Sequence, residues 1–271
     1  MQIKKLLQKL ANKVGLEIHK IQPTPRTTTA GFFEYISSFK MDFEVVIDGG
    51  AAYGDWTIIC QKIFPQAEYY LYEPLAEYAP FLKHLESSST FIKPLALSDN
   101  SGTIEFHKHS DLVGSSIFSE IEGGSVDGEL IAVSCTTLEK EFSNHAASKY
   151  LVKFDLQGGE LLALSGCPAK FFGRESVFVF ESNLFMNMIG SENQFENLVA
   201  YMKSRSFVLY DICGLNYRPL DQALSQLDLV FVHEHSRLRQ NHAYASKDWR
   251  EQQFAKAKQK HADKLRRLHT S

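Results

Sequence analysis

Between about Phe43 and Val232 short apolar runs alternate with stretches whose apolar residues recur at helical spacing. Phe43–Asp48 (FEVVID) is a run too short for a helix and predicts a buried strand, followed by glycines and a helix from about Asp55 to Phe64. Glu68–Glu73 predicts a second strand with a helix around Ala79–Glu86 after it, and Phe91–Leu97 a third strand. Thr103–His107 and Ile131–Cys135 read as β-rich additions around a polar, glycine-containing loop. Tyr150–Asp155 is a strand ending in an acid, with a helix starting at Glu160–Leu164. Val177–Glu181 repeats that pattern, with a helix over Glu192–Lys203, and Phe207–Asp211 and Leu229–His233 close the series. Strands alternating with helices predict an α/β fold, doubly wound, with a mainly parallel sheet covered on both faces. No internal repeat or low-complexity tract interrupts this span, so it reads as one domain.

The flanks differ. Ile3, Leu6, Leu7, Leu10 and Val14 lie at helical spacing among Lys4, Lys5, Lys9 and Lys13, which predicts a basic amphipathic helix over about 2–14. The lysines break any signal-peptide core, so a cytoplasmic protein is expected. From Ala243 to Ser271 eight Lys and Arg stand against three acids. The expected division is a basic helix and linker over 1–30, a central domain over 31–240 and a basic helical tail over 241–271. Both basic ends read as solvated helices, with contact to an anionic membrane surface or a second subunit as alternatives.

Composition narrows the class. The 271 residues are 44% hydrophobic and 23% charged with a net charge of −3, values of an ordinary globular protein. No uninterrupted apolar stretch approaches the ~20 residues of a membrane span. The near-neutral charge gives no case for nucleic acid as a partner. Cys60, Cys135, Cys167 and Cys213 form no CxxC pair, against a zinc cluster or a disulfide framework. The charge is uneven, however: the C-terminal segment carries +5, leaving −8 on the rest.

The chemistry concentrates in Val45–Trp56 (VVIDGGAAYGDW). A buried strand ends in Asp48 and passes through Gly50, Ala52, Tyr53 and Gly54 into a helix. Small residues there admit a ligand to the backbone, and a helix start offers free N–H groups. The next strand ends in Glu73, where doubly wound folds place an acid against ribose hydroxyls. A dinucleotide pyrophosphate suits a helix N-terminus but not a carboxylate just before the glycines. A nucleoside with an ammonium-bearing tail suits Asp48 better, so the pattern favours S-adenosylmethionine over NAD. A tight strand–helix turn with an incidental acid is the bland alternative.

The run Val152–Glu160 (VKFDLQGGE), followed by Leu161, Leu164 and Gly166, resembles a signature of FkbM-family methyltransferases. Tyr72–Glu77 (YEPLAE), Ala96–Gly102 (ALSDNSG), Gly114–Phe118 (GSSIF), Cys135–Lys140 (CTTLEK) and Leu227–His233 (LDLVFVH) follow in the order of that family. The resemblance covers about residues 43–233. Gly49-Gly50-Ala51-Ala52 departs from it, since the family often has a single glycine followed by Ala-Asn. The resemblance implies a Rossmann-like class I methyltransferase fold with a seven-stranded sheet. It also implies S-adenosylmethionine as cofactor and, most often, O-methylation of sugars on surface glycans or of natural products. It places Asp48, Gly50 and Gly54 along the methionine part, Glu73 on the ribose, and Ser98 and Asp99 near the adenine.

Methyl transfer to a hydroxyl needs positioning and somewhere for the proton to go. Asp155, at a strand end, is the leading candidate for general base or for orienting the acceptor. Glu160 and Glu181 are further candidates; Glu160 reads equally as a first-turn acid on a helix N-terminus and Glu181 as a structural group. His107 and His109, and His233 and His235, would share faces as base or ligand pairs. His233 leads because it lies near the sheet edge. A third metal ligand is missing, so no metal is expected. The loop from His107 to Leu130, rich in Ser and Gly, is a plausible place for contacts with a small-molecule or glycan acceptor. Two rivals remain: a methyltransferase-like protein that binds the cofactor without turnover, and an NAD-dependent oxidoreductase. A homodimer is compatible with all three.

Overall fold

The computed structural model describes residues 25–191 and 195–268. In chain order the elements are α1 (Thr29–Ser38), β1 (Val45–Gly49), α2 (Asp55–Ile63), β2 (Glu68–Tyr72), α3 (Ala79–Leu82), β3 (Thr90–Lys93), β4 (Ala96–Leu97), β5 (Gly102–Lys108), β6 (Ser119–Glu120) and β7 (Glu129–Thr136). They continue with α4 (Leu138–Phe142), β8 (Tyr150–Phe154), α5 (Glu160–Ser165), β9 (Val177–Asn183), β10 (Met188–Ile189), α6 (Phe195–Ser204), β11 (Phe207–Tyr217), β12 (Leu224–His233) and α7 (Lys247–Leu268).

Seven strands form the main sheet in the order β11-β12-β9-β8-β1-β2-β3. Pairing is parallel from β9 to β3, while β12 runs antiparallel to both β9 and β11. The winding reverses between β1 and β8, the place where open α/β sheets leave a crevice at their carboxyl ends. This is the doubly wound, mainly parallel sheet expected from the sequence pattern.

Side chains alternate across the sheet. Val45 and Ile47 of β1 join a core with Phe154, Phe178, Phe180 and Phe231 from neighbouring strands, closed by Leu138 and Phe142 of α4, Leu164 of α5 and Leu198 of α6. On the other face Asp48 takes a 2.7 Å hydrogen bond from Thr57 of α2, and Tyr69 donates to the Phe64 carbonyl. Helix α1 lies on this side. Phe33 meets Trp56 and Phe64 edge to face at 5.3 and 6.1 Å, and Thr28 caps the helix by accepting from Gly31 N–H.

Several boundaries move. The expected third strand, Phe91–Leu97, divides at Pro94, which cannot donate to a ladder. Thr90–Lys93 stays in the main sheet, whereas Ala96–Leu97 turns off into a second sheet of order β4-β7-β5. The helix expected over Ala79–Glu86 shortens to Ala79–Leu82 between two 3₁₀ turns. Strands β11 and β12 run longer than the apolar runs that announced them. Helix α1 falls across the expected linker and domain start. The amphipathic helix expected over 2–14 lies outside the described residues. Arg237–Ser271 forms a compact unit of its own containing α7. Among the described residues no helix is long and apolar enough to cross a membrane.

Candidate active site

Two strand-to-helix turns meet at the carboxyl edge. After β1 the chain turns at Gly50, in the left-handed region with φ 73°. A Cβ there would lie 1.9 Å from the Asp155 carbonyl oxygen, so this glycine lets the two turns touch. Glu73, just past β2, accepts hydrogen bonds from Ala52 N–H at 3.0 Å and Leu75 N–H at 2.9 Å. It thereby clamps the β1 turn to the β2 end. Burial raises its pKa, against the lowering effect of those hydrogen bonds.

The turn after β8 has the same device. Glu160, at the start of α5, accepts from Leu156 N–H at 2.7 Å and Gly158 N–H at 3.1 Å. These bonds hold Gln157 and Gly158 at positive φ. Burial pushes its carboxyl up to about 8.

Between the turns runs a band of charged side chains. Lys153 reaches the Gly50 carbonyl at 2.9 Å, Asp48 at 3.2 Å and Asp155 at 3.5 Å. Asp48 and Lys153 are register partners on adjacent strands, and Glu181 faces Asp228 in the same way. Burial opposes the Lys153 charge, yet Asp48 and Asp155 outweigh it and raise its pKa. Gln157 bridges Asp155 at 2.7 Å and Glu181 at 3.0 Å. Burial works against the Asp155 carboxylate too, but Lys153 and hydrogen bonds from Glu181 and Gln157 hold its pKa low. Burial and the neighbouring Asp155 charge push Glu181 up to about 10. At neutral pH Asp155 is therefore the anion and Glu181 carries the proton shared between them.

A cleft of about 870 Å³, counted out to its mouth, opens over this edge, within the range of small-molecule sites. Gly50, Ala52, Tyr53, Glu73 and Asp155 line one side. Tyr72, Leu95, Leu97 and Phe106 form an apolar wall, and Leu112–Ser115 with Ile117 contribute from the loop after β5. The Tyr72 hydroxyl is buried without a hydrogen-bond partner.

Five of the sequence candidates thus converge: Gly50, Ala52, Tyr53, Glu73 and Asp155. Others lie elsewhere. Asp48 is fully buried beneath the turn, held by Thr57 and Lys153, and does not line the cleft. The charge argument against a pyrophosphate therefore passes to Glu73 and Asp155. Gly54 caps α2 at φ 79°, and the space a Cβ would need is taken by Leu85 and Leu82. Ser98 and Asp99 pack beneath Gly166; Ala96 and Leu97, just before them, line the cleft instead. Glu160 is 1% exposed with both oxygens engaged by its own turn, so it positions the loop. Glu181 reaches the site through Gln157 and Asp155.

The largest correction concerns His233. Because β12 is antiparallel, its last residue lies beside Phe207 at the start of β11, one step beyond the Val232–Val177 pair. That is the amino edge of the sheet, opposite Asp155. Sequence reading also missed Lys153 and Gln157 as site residues. Lys153 stands two residues before Asp155 and so shares its strand face, a signal present in the K-x-D spacing. The positive φ of Gln157 had no such signal. Among the described residues no cluster of three or more His, Cys, Asp or Glu side chains could hold a metal.

The strand order, the antiparallel β12 and the cleft at the switch point define a class I methyltransferase fold. The methyltransferase FkbM domain matches residues 48–209, and the chain belongs to that family. Among solved structures the chain is similar to the methyltransferase FkbM of Methylobacillus flagellatus KT, with 15% identity and a TM-score of 0.45 over 69% of this chain. It spans 44% of that protein's length. The precorrin-6y C5,15-methyltransferase of Geobacter metallireducens GS-15 is similar over 78% of this chain and 92% of its own, with 10% identity and a TM-score of 0.41. A third similar structure is the 1,6-didemethyltoxoflavin-N1-methyltransferase of Burkholderia thailandensis, with bound 1,6-didemethyltoxoflavin and S-adenosylhomocysteine. It is 12% identical over 76% of this chain and 78% of its own, with a TM-score of 0.38. No curated protein matches the chain.

Proposed function

We propose that this protein transfers a methyl group from S-adenosylmethionine to a hydroxyl, on a sugar of a glycan or on a related metabolite. The observation that carries the reading is the convergence of Glu73 and Asp155 on one cleft with an apolar wall. The cleft suits the cofactor's three parts. A carboxylate accepts up to about four hydrogen bonds, so Glu73 keeps capacity for the ribose hydroxyls beyond its two backbone donors. Tyr72, Leu97 and Phe106 offer an apolar slot for the adenine. Asp155, kept anionic by Lys153, matches the ammonium and the sulfonium.

When bound, the cofactor supplies an activated methyl on a positively charged sulfur. The chain's own contribution is orientation and electrostatics. Asp155 is held in one place by Gln157 and Lys153, and its lowered pKa suits it to stay charged and orient groups rather than to take a proton. Glu181 stores a proton next to it. These roles rest on intact machinery, which favours turnover over a binding-only protein, and two cleft carboxylates disfavour a dinucleotide.

Calorimetric titration of the purified protein with S-adenosylhomocysteine tests the reading. Saturable binding is expected, and no heat at millimolar ligand would overturn it. NADH added to the same protein is expected to leave nicotinamide fluorescence unchanged.

A further inference from the structure

Beside the cleft lies a second, more open cavity that shares Leu112 with it. Its polar residues are Glu77, Lys108, His109, Ser110, Ser125 and Glu129. His109 is 8% exposed, and its Nε2 has no hydrogen-bond partner. The rest of the residue is tied down by its own loop. Its backbone N–H donates to Ser115 Oγ at 3.0 Å, its carbonyl accepts from Leu112 N–H at 3.0 Å, and its Nδ1 lies 3.1 Å from the Val113 carbonyl. Gly128 packs against Lys108 and His109 from the other strand; a Cβ there would come within 2.2 Å of the Lys108 carbonyl oxygen.

A carbonyl only accepts, so Nδ1 is the donor and in the neutral ring Nε2 is left with a bare lone pair. A buried polar atom with no partner calls for an explanation, and here its residue lines a cavity that shares Leu112 with the cofactor cleft. The geometry points to an acceptor subsite in this second cavity, with His109 Nε2 receiving the hydrogen of the acceptor hydroxyl. This rests on the methyl-transfer reading above. The hydroxyl oxygen bonds to the methyl carbon, the carbon–sulfur bond breaks with its electron pair staying on sulfur, and the hydroxyl proton passes to Nε2.

The lining also narrows the acceptor class. Lys108 is paired with Glu77 at 3.2 Å and Glu129 at 3.4 Å, so its charge is already matched. Burial and the neighbouring Glu122 raise the Glu120 carboxyl against the opposing His109 ring, and Asp127 is engaged by His107 at 2.9 Å. The lining thus sets two carboxylates against one ammonium, which disfavours an anionic acceptor, and hydroxyls from Ser110 and Ser125 with the His109 lone pair suit a hydroxyl-rich molecule without negative charge, such as a neutral glycoside.

The test uses the full chain and four probes, the methyl glycosides of galactose, mannose, rhamnose and fucose, with and without S-adenosylhomocysteine. Saturation-transfer NMR on the wild type is expected to show binding of at least one glycoside. His109→Ala should weaken that glycoside tenfold or more while S-adenosylhomocysteine affinity stays within twofold. Long-range ¹H–¹⁵N spectra of the wild type should show a protonated Nδ1 and an unprotonated Nε2 whose shift moves on glycoside addition; this readout holds even where the variant fails to fold. Absence of glycoside binding, an unchanged affinity in the variant, or an Nε2 signal indifferent to the glycoside would each overturn the subsite. Failure of S-adenosylhomocysteine to bind is read separately and would overturn the cofactor reading instead.

Discussion

The turns after β1 and β8 use one solution to one problem. Each leaves a parallel strand at the carboxyl edge, and each has a glutamate accepting two backbone N–H groups: Glu73 from Ala52 and Leu75, Glu160 from Leu156 and Gly158. Yet Glu73 lines the cleft and Glu160 does not. Identical hydrogen-bonding chemistry therefore serves two ends. Where the carboxylate borders open space, its spare lone pairs are available to a ligand; where it is sealed in, it only fixes the backbone. The glutamates cannot be told apart by residue type or partners, only by what lies on their far side.

The most severe break of the comparison is to push the two turns apart. Gly50→Ala places a methyl where the Asp155 carbonyl stands and forces an L-residue to φ 73°. A loss of about 4 kcal/mol is expected, measured by urea unfolding, and a variant as stable as the wild type would show that the turns do not depend on that contact.

Glu160→Ala comes next. One buried and one half-buried N–H donor lose their acceptor, which should cost about 2–4 kcal/mol. The pH dependence sharpens it. The folded-state carboxyl is raised from 4.5 to about 8, so the folded protein binds more protons than the unfolded one between those values. This contribution is full below about 4.5 and lost as the pH rises through about 8, with a slope no steeper than about 1.4 kcal/mol per pH unit. Glu181 adds the same sign at higher pH, up to about 10. Unfolding free energies at pH 5, 6.5 and 8 should therefore fall for the wild type and fall less for Glu160→Gln. Equal slopes would remove Glu160 as the titrating group.

Glu73→Gln sets the other half of the comparison. Its amide keeps one acceptor, so stability should drop by only about 1 kcal/mol. S-adenosylhomocysteine affinity should fall at least tenfold, because the carboxylate proposed to meet the ribose loses charge and an acceptor. If the two glutamine variants behaved alike in both assays, the distinction between a ligand-facing and a sealed carboxylate would collapse.

These contrasts also show what the chain discloses in advance. Strand and helix alternation, the sheet class and the strand-end acids are visible because they depend on period and position, which are local. Glu73 and Asp155 follow from them directly. Whether Asp48 points at a ligand depends on Lys153 arriving from a strand about a hundred residues away, and no local pattern encodes that. The direction of β12 is likewise set by pairing with β9 and β11, and it alone removes His233 from the site. The third strand is read straight through Pro94, whose missing N–H is a local signal against that, while the second sheet that recruits Ala96 and Leu97 has no local signal, since its partner strand lies beyond a long polar loop.

The finest test of the boundary falls between Leu97, which lines the cleft, and Asp99, two residues on. Asp99 is exposed and accepts from Ser98 Oγ at 3.2 Å and Asn100 Nδ2 at 2.9 Å. Its carboxylate is occupied locally and turned to solvent, where an added hydrogen bond contributes little. Asp99→Ala should change S-adenosylhomocysteine affinity by less than twofold, whereas Leu97→Ala, which opens the apolar wall, should weaken it several-fold. A tenfold loss in Asp99→Ala measured by calorimetry would mean the adenine reaches past β4. The cleft would then have to be extended to the carboxylate that the resemblance first placed there.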